Sequence, residues 1–294
     1  QGPSNFSHPM LGSDTELKSM SAMPRASRTI GFICALAATS VAVGGVVTRQ
    51  ELDDQCALQL STTAPLRVAI FMTTHWSTMH QQFMPCWETA RQQLTLVRNA
   101  DLILYTSGNV GSKDLEQLHF TNFIVKHYKK AKYEEGAIQA MVDAFGSKGH
   151  QEKWFDRYDW VVRLNPDVLI MDDNWLLETM GNSSVDAIFV NCNGKINTDF
   201  FVVRPQVIQT NLADTCTSGS GDPNAETHLT CVVSNIISSG RYVWVKGAQN
   251  IGGCRVVGAE SPVVHEHGFR KCCPNYLSAQ ANCSRVPVKH SDKA

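Results

Sequence analysis

The chain has 294 residues, 43% of them hydrophobic, enough for one sizeable core with extensions. Its 26 basic and 27 acidic residues leave a formal net charge of −1, so the basic face of a nucleic-acid binder is missing and no nucleic-acid partner is expected. No heptad run, internal repeat or low-complexity tract organises it.

Residues 1–28 are rich in Ser, Pro, Gly and Met and read as a disordered tail. Thr29 to Val47, TIGFICALAATSVAVGGVV, carries no charge. As a helix rising about 1.5 Å per residue it reaches roughly 28 Å, against a bilayer core of about 30 Å. Arg25 and Arg28 precede it, with Lys18 further back, while Arg49 is followed at once by Glu51, Asp53 and Asp54. The positive-inside rule puts such an N-terminus in the cytosol and the remainder across the membrane. The expectation is one N-terminal helix in the membrane, a signal anchor over 29–47, and a stem over 48–65. A cleaved signal peptide and a buried helix are the alternatives.

Of the ten cysteines, nine lie beyond that span: Cys56, Cys86, Cys192, Cys216, Cys231, Cys254, Cys272, Cys273 and Cys283. None forms a C-x-x-C pair with matching His spacing, so no zinc is expected. An oxidising lumen makes disulfides their natural state, and an odd number leaves at least one over. Asn182 and Asn282 open Asn-x-Ser sequons on the same side, candidate N-glycosylation sites.

From residue 66 the pattern becomes α/β. RVAIFM (67–72) reads as a strand ending in Thr73-Thr74-His75. Phe83, Trp87, Ala90, Leu94 and Val97 recur at helical spacing. DLILYTSG (101–108) and FIVKHY (123–128) are further strands. Ile138, Met141, Val142 and Phe145 mark a helix opened by Glu134 and Glu135 and closed by Gly146. DAIFVN (186–191) and DFFVVRP (199–205) are strands, Asp222-Pro223 starts a helix running to about Ser238, and RYVWV (241–245) closes the core. Strands alternating with helices predict a mostly parallel, doubly wound sheet with helices on both faces. In such sheets ligands bind at the carboxyl ends of the strands.

YDWVVRLNPDVLI (158–170) departs from this regularity, because an apolar run is cut by Asn165-Pro166-Asp167 and then resumes. Pro166 has no N–H for the ladder, so central pairing should end there. Asn165 and Asp167 then sit at a carboxyl end, two oxygen-bearing side chains within reach of one hard cation. An Asx-Pro turn whose side chains only cap the backbone is the alternative.

These residues resemble the strand that carries the Asp-x-Asp motif of GT-A fold glycosyltransferases, the nucleotide-diphospho-sugar transferases, with Asn165 in place of the first Asp. INTDFFVVRP (196–205) is similar to the segment that lines the donor-sugar site there. HEHGFRK (265–271) has the H-x-x-G-x-x-K spacing of the retaining galactosyl- and glucosyltransferase branch. The resemblance covers residues 66–271 and makes 66–294 a GT-A-like catalytic domain. It implies a metal-dependent hexosyltransferase that retains anomeric configuration. Its donor is a nucleotide sugar, of which a UDP-sugar is the leading case, and its acceptor a glycan, protein or lipid hydroxyl. The resemblance assigns Asp167 and His265 as ligands of Mn²⁺ or Mg²⁺. Thr73, Thr74, His75, Asn165, Gly268 and Lys271 fall to the nucleotide sugar, and Asn197, Asp199 and Glu226 to the catalytic centre. Anchor and stem match the layout of type II Golgi (or ER) enzymes. The plain alternatives are a βα loop for 73–75, a strand cap for Asp199 and a helix-dipole contact for Glu226. Because Asn165 removes a carboxylate, a catalytically inactive lumenal binding protein is the competing reading.

Overall fold

A computed structural model describes residues 65–129, 133–216, 224–247, 249–251, 255–257, 260–265, 267–273 and 275–277. The expected membrane span at 29–47, Asp222-Pro223 and Asn282 lie outside them. Among the described residues no helix is long and apolar enough to cross a membrane.

The chain opens with β1 (Val68–Thr74), which is buried along its whole length. A short α1 (Thr78–Gln81) leads into α2 (Met84–Gln93) and α3 (Thr95–Asn99). The helical spacing over 83–97 predicts one helix, but the backbone is extended at Leu94 and α3 starts afresh. The Asp173 carboxylate accepts from Leu96 N at 2.7 Å, satisfying a free amide of the new helix start. Next come β2 (Asp101–Thr106), α4 (Ser112–Gln117), β3 (Phe123–His127), α5 (Tyr133–Phe145) and α6 (Ser147–Gln151). Gly108, just after β2, has no room for a side chain, since a Cβ there would meet His75 O at 2.6 Å.

The apolar run after 158 forms β4 (Trp160–Leu164) and β5 (Val168–Ile170), followed by α7 (Asp173–Gly181), β6 (Ala187–Cys192) and β7 (Lys195–Val203). β7 begins four residues before the expected strand, so Asn197 and Asp199 both lie within it. After α8 (Thr210–Thr215), the single helix expected to Ser238 is two, α9 (Ala225–Val232) and α10 (Ser234–Ser239). Asn224 caps α9, accepting from Thr227 N at 2.8 Å. The last strands are β8 (Tyr242–Trp244), β9 (Gln249–Ile251), β10 (Arg255–Val257) and β11 (Val263–His265).

Seven strands form the main sheet in the order β3-β2-β1-β4-β7-β6-β8. Pairings are parallel except those of β7, which runs against β4 and β6. The sheet is thus mostly parallel and fits the GT-A-type architecture expected. Met84, Trp87, Leu96 and Leu176 pack on one face with Ile70, Val162 and Phe200. Met141, Phe145, Leu229 and Ile236 cover the other with Phe71, Val161 and Phe201. Helices therefore lie on both faces.

Register builds the edge that matters. Met72 is level with Leu164, and Leu164 with Phe200. One step further along β1 and β4, and one step back along antiparallel β7, Thr73, Asn165 and Asp199 form a row across three adjacent strands. β5 leaves this sheet altogether and pairs antiparallel with β11, His265 opposite Val168.

All six described cysteines are disulfide-bonded. Cys86 pairs with Cys273 and Cys216 with Cys231, and Cys192 and Cys272 are bonded too. The disulfides expected from the sequence are present.

Candidate metal centre

The Asn165-Pro166-Asp167 break is a turn, closed by a 3.0 Å bond from Val168 N to Asn165 O. Proline at its second position suits the fixed φ of that site. Trp87, buried on α2, donates its indole N–H to Pro166 O at 2.8 Å and pins the turn from below. The turn alternative therefore describes the backbone correctly. The side chains do something else.

Arg163 fixes the direction of a hydrogen-bond chain along the row. A guanidinium only donates, so Thr73 Oγ1 accepts from Arg163 Nη2 at 2.6 Å. The Thr73 hydroxyl hydrogen is then left to donate to Asn165 Oδ1 at 3.0 Å. That assignment turns the Asn165 amide nitrogen toward Asp199 Oδ1, 2.7 Å away. Both ends of Asn165 are engaged inside the protein. Asp199 also accepts order from its own strand, its N–H donating to Asn197 Oδ1 at 2.6 Å.

The second oxygen of Asp199 lies 3.3 Å from His265 Nδ1. An ionised carboxylate only accepts, so it favours the ring form with the proton on Nδ1. The neutral ring then presents the Nε2 lone pair on its far side. There Nε2 stands 3.3 Å from Asp167 Oδ2, and His267 Nε2 stands 3.0 Å from the same oxygen. Asp167 is 3% exposed, and its other oxygen, Oδ1, is buried without a hydrogen-bond donor. Burial would push its carboxyl up, but the two imidazoles outweigh this and hold it below the ordinary carboxylate range.

This arrangement fits a metal ion. One ligand atom each from Asp167, His265 and His267 lies within 4.8 Å of the others. Atoms bound at about 2.1 Å to one ion stand roughly 3.0 Å apart at a right angle and roughly 3.4 Å apart at the tetrahedral angle, a range that spans the two contacts observed. The unsatisfied Asp167 Oδ1 is a second sign of a missing positive partner.

Three anchors hold the C-terminal segment in place: the β5–β11 pairing, the Cys86–Cys273 disulfide, and a 3.0 Å bond from the buried Tyr276 hydroxyl to Ile170 O. His267 begins a short 3-10 helix through Lys271, which carries Gly268 and an exposed Lys271.

The other candidates fall in different places. The hydroxyls of Thr73 and Thr74 face inward. Thr74 Oγ1 accepts from Trp76 N at 2.8 Å and contacts His80 Nδ1 at 2.7 Å. His75 is exposed, its ring 4.7 Å from that of His80. Glu226 joins none of these contacts and accepts from Thr198 at 3.1 Å. Asn182 is exposed at the end of α7, where it accepts from Ser184 N and Oγ.

Sequence reading missed three participants. His267 was visible as the second histidine of HEHGFRK, and Arg163 as a lone charge in an apolar strand. His80 had no motif. Its Nε2 sits 3.9 Å from Asp167 Oδ1, and burial pushes its pKa down to about 4 against the pull of that carboxylate.

No family model and no curated protein matches the chain. Among solved structures it is similar to a protein of Desulfovibrio desulfuricans G20 provisionally designated a nucleotide-diphospho-sugar transferase. Identity is 12% and the TM-score 0.36, over 60% of this chain and 79% of that one. It is also similar to the glycosyltransferase GlyE of Streptococcus pneumoniae TIGR4 in its apo form, with 12% identity and a TM-score of 0.41, over 62% of this chain and 45% of that one. A further GlyE structure gives 11% and 0.39 over the same shares. These neighbours are sugar transferases by name. The chain spans less than half the length of GlyE, and likeness at this level says nothing about activity.

Proposed function

We propose that the chain is a glycosyltransferase that uses a nucleotide-diphosphate sugar, a UDP-sugar in the leading case, and passes the hexose to a hydroxyl of a glycan, glycoprotein or glycolipid. One observation carries this reading: the Asp167, His265 and His267 cluster stands at the carboxyl edge of a mostly parallel sheet, where such folds bind ligands. A divalent cation held there would offset the charge that builds on a departing nucleoside diphosphate. Asp199 stands beside His265 Nδ1, where a carboxylate would support a metal-binding imidazole. Lys271, exposed on the helix that starts at His267, is a cation available to the diphosphate. Gly268 falls to the diphosphate by the same resemblance. The acceptor hydroxyl would attack the anomeric carbon, and retention of configuration is carried over from the H-x-x-G-x-x-K resemblance.

The disulfides support a secretory-pathway compartment. With the charge pattern around 29–47 they make a single-pass type II protein of the Golgi or ER membrane the reading we favour. A second reading, an inactive lumenal binding protein, is favoured by Asn165, which leaves one carboxylate in the motif and is itself bonded at both ends.

The test is nucleotide release by the purified full chain from a panel of nucleotide sugars, with and without divalent cations. Release that requires the cation and is lost in Asp167→Asn is expected. No release from any donor would leave the binding protein.

A further inference from the structure

Nine-tenths-buried Asp167 is the one carboxylate in the candidate centre, and the other two candidate ligand atoms are imidazole nitrogens. Asn165 stands where the resemblance places a second carboxylate, yet its amide is turned away by Arg163 and Thr73 and tied to Asp199. His267 reaches Asp167 Oδ2 at 3.0 Å. Its side chain is 41% exposed, so it lies at the open rim and not in the core. A histidine held at a rim with its Nε2 on a buried carboxylate is hard to explain as packing.

We infer that His267 takes the ligand position Asn165 has vacated, and that the site binds ions that accept imidazole nitrogen, Zn²⁺ foremost, in preference to Mg²⁺. The inference deepens the metal-dependent reading above and rests on it for its place in a reaction, but not for its test. The chemistry is that of ligand type. Imidazole suits Zn²⁺ and the late first-row ions, whereas carboxylate, carbonyl and water suit Mg²⁺ and Mn²⁺. Mg²⁺ also demands near-ideal octahedral oxygen geometry and sheds water reluctantly. Two imidazoles and one carboxylate is a donor set found in zinc sites that keep a further position open. Asp199 stands 3.3 Å from His265 Nδ1, on the side where a carboxylate supports a metal-binding imidazole.

The experiment uses the chelator-stripped full chain without nucleotide, so that binding is read apart from turnover. Co²⁺ serves as the coloured stand-in for Zn²⁺, with Zn²⁺, Mn²⁺ and Mg²⁺ as competitors. Zn²⁺ should displace Co²⁺ stoichiometrically, and Mg²⁺ in large excess should not. His267→Ala should weaken Zn²⁺ by more than about 100-fold, beyond the 10–100-fold typical of losing a supporting partner. His267→Asp should restore two carboxylates and narrow the preference for Zn²⁺ over Mn²⁺ by at least about tenfold. His267→Gln, of similar size, checks folding by circular dichroism. Mg²⁺ binding as tight as Zn²⁺, or unchanged Zn²⁺ affinity in His267→Ala, overturns the inference. A chain that binds Zn²⁺ through His267 but releases no nucleotide supports the inference and removes the transferase. Turnover with Mg²⁺ that survives His267→Ala does the reverse.

Discussion

Replacing Asn165 by Asp would give the turn both carboxylates of the Asp-x-Asp motif it resembles, and the structure says that it should damage the protein. The Asn165 amide nitrogen sits 2.7 Å from Asp199 Oδ1. In Asn165→Asp a carboxylate oxygen takes that place, and a donor facing an acceptor becomes two acceptors. Two unit charges about 4 Å apart repel by about 4 kcal/mol at an effective dielectric constant near 20. The pair can escape by binding one proton. Holding a proton at pH 7 on a carboxyl of ordinary pKa near 3.9 costs about 4 kcal/mol, from 1.36 kcal/mol for each of roughly three pH units. Both routes give the same ceiling, and Arg163 Nη1, 4.0 Å from Asp199, lowers it somewhat. A loss of about 2–4 kcal/mol follows, or a fall in Tm of roughly 5–15 °C at about 2–4 °C per kcal/mol for a domain of this size. The sign with pH is fixed. The shared proton raises a carboxyl pKa in the folded state, so the folded form binds more protons than the unfolded one. Stability is retained below about pH 4 and lost as pH rises toward the raised value. Thermal melts of wild type and Asn165→Asp from pH 4 to 8 should therefore diverge as pH rises. Metal affinity should not improve, because the new oxygen faces Asp199. A variant as stable as wild type at pH 7 that binds its ion more tightly would show that residue 165 is a ligand position and that the chain from Arg163 is drawn wrongly.

Thr73→Val removes the hydroxyl between Arg163 and Asn165, and each buried polar group that loses its partner costs about 1–3 kcal/mol. Denaturant melts should show a loss of about 2–5 kcal/mol, with Thr73→Ser within about 1 kcal/mol of wild type. Cys86→Ser with Cys273→Ser releases the segment that carries His265 and His267. Stability should fall by about 2–4 kcal/mol and metal affinity with it, whereas loss of stability alone would mean that the β5–β11 pairing suffices to hold the site. For topology, a tag at residue 1 should be digested in intact microsomes and a tag at residue 294 protected. A mature chain that starts near residue 50 would replace the anchor by a cleaved signal.

What could be read from the sequence, and what could not, separates along a physical line. Strand and helix order came from local periodicity, and the sheet is as expected because buried parallel strands read as continuous apolar runs. Pro166 marked the end of β4 because a missing N–H is a local property of one residue. The misreadings are where distant groups decide. The helix over 83–97 breaks at Leu94, with a carboxylate from residue 173 meeting the fresh amide of Leu96. No periodicity could show that β5 deserts the main sheet, since its partner is 93 or more positions away, Val263 against Ile170. Yet that pairing is what delivers His265 to Asp167. The role of Asn165 was the least legible of all. Its residue type suggested a weakened ligand, but its orientation is set by the one-way donor Arg163, acting through a threonine that lies beside it only because β1 and β4 pair in register. The residue that looked like a damaged metal ligand is a link that holds Asp199 in position beside His265. Asp199 in turn stands 3.3 Å from the nitrogen of His265 that does not face Asp167, so the apparent defect in the motif and the surroundings of its distant histidine belong to one row of polar contacts.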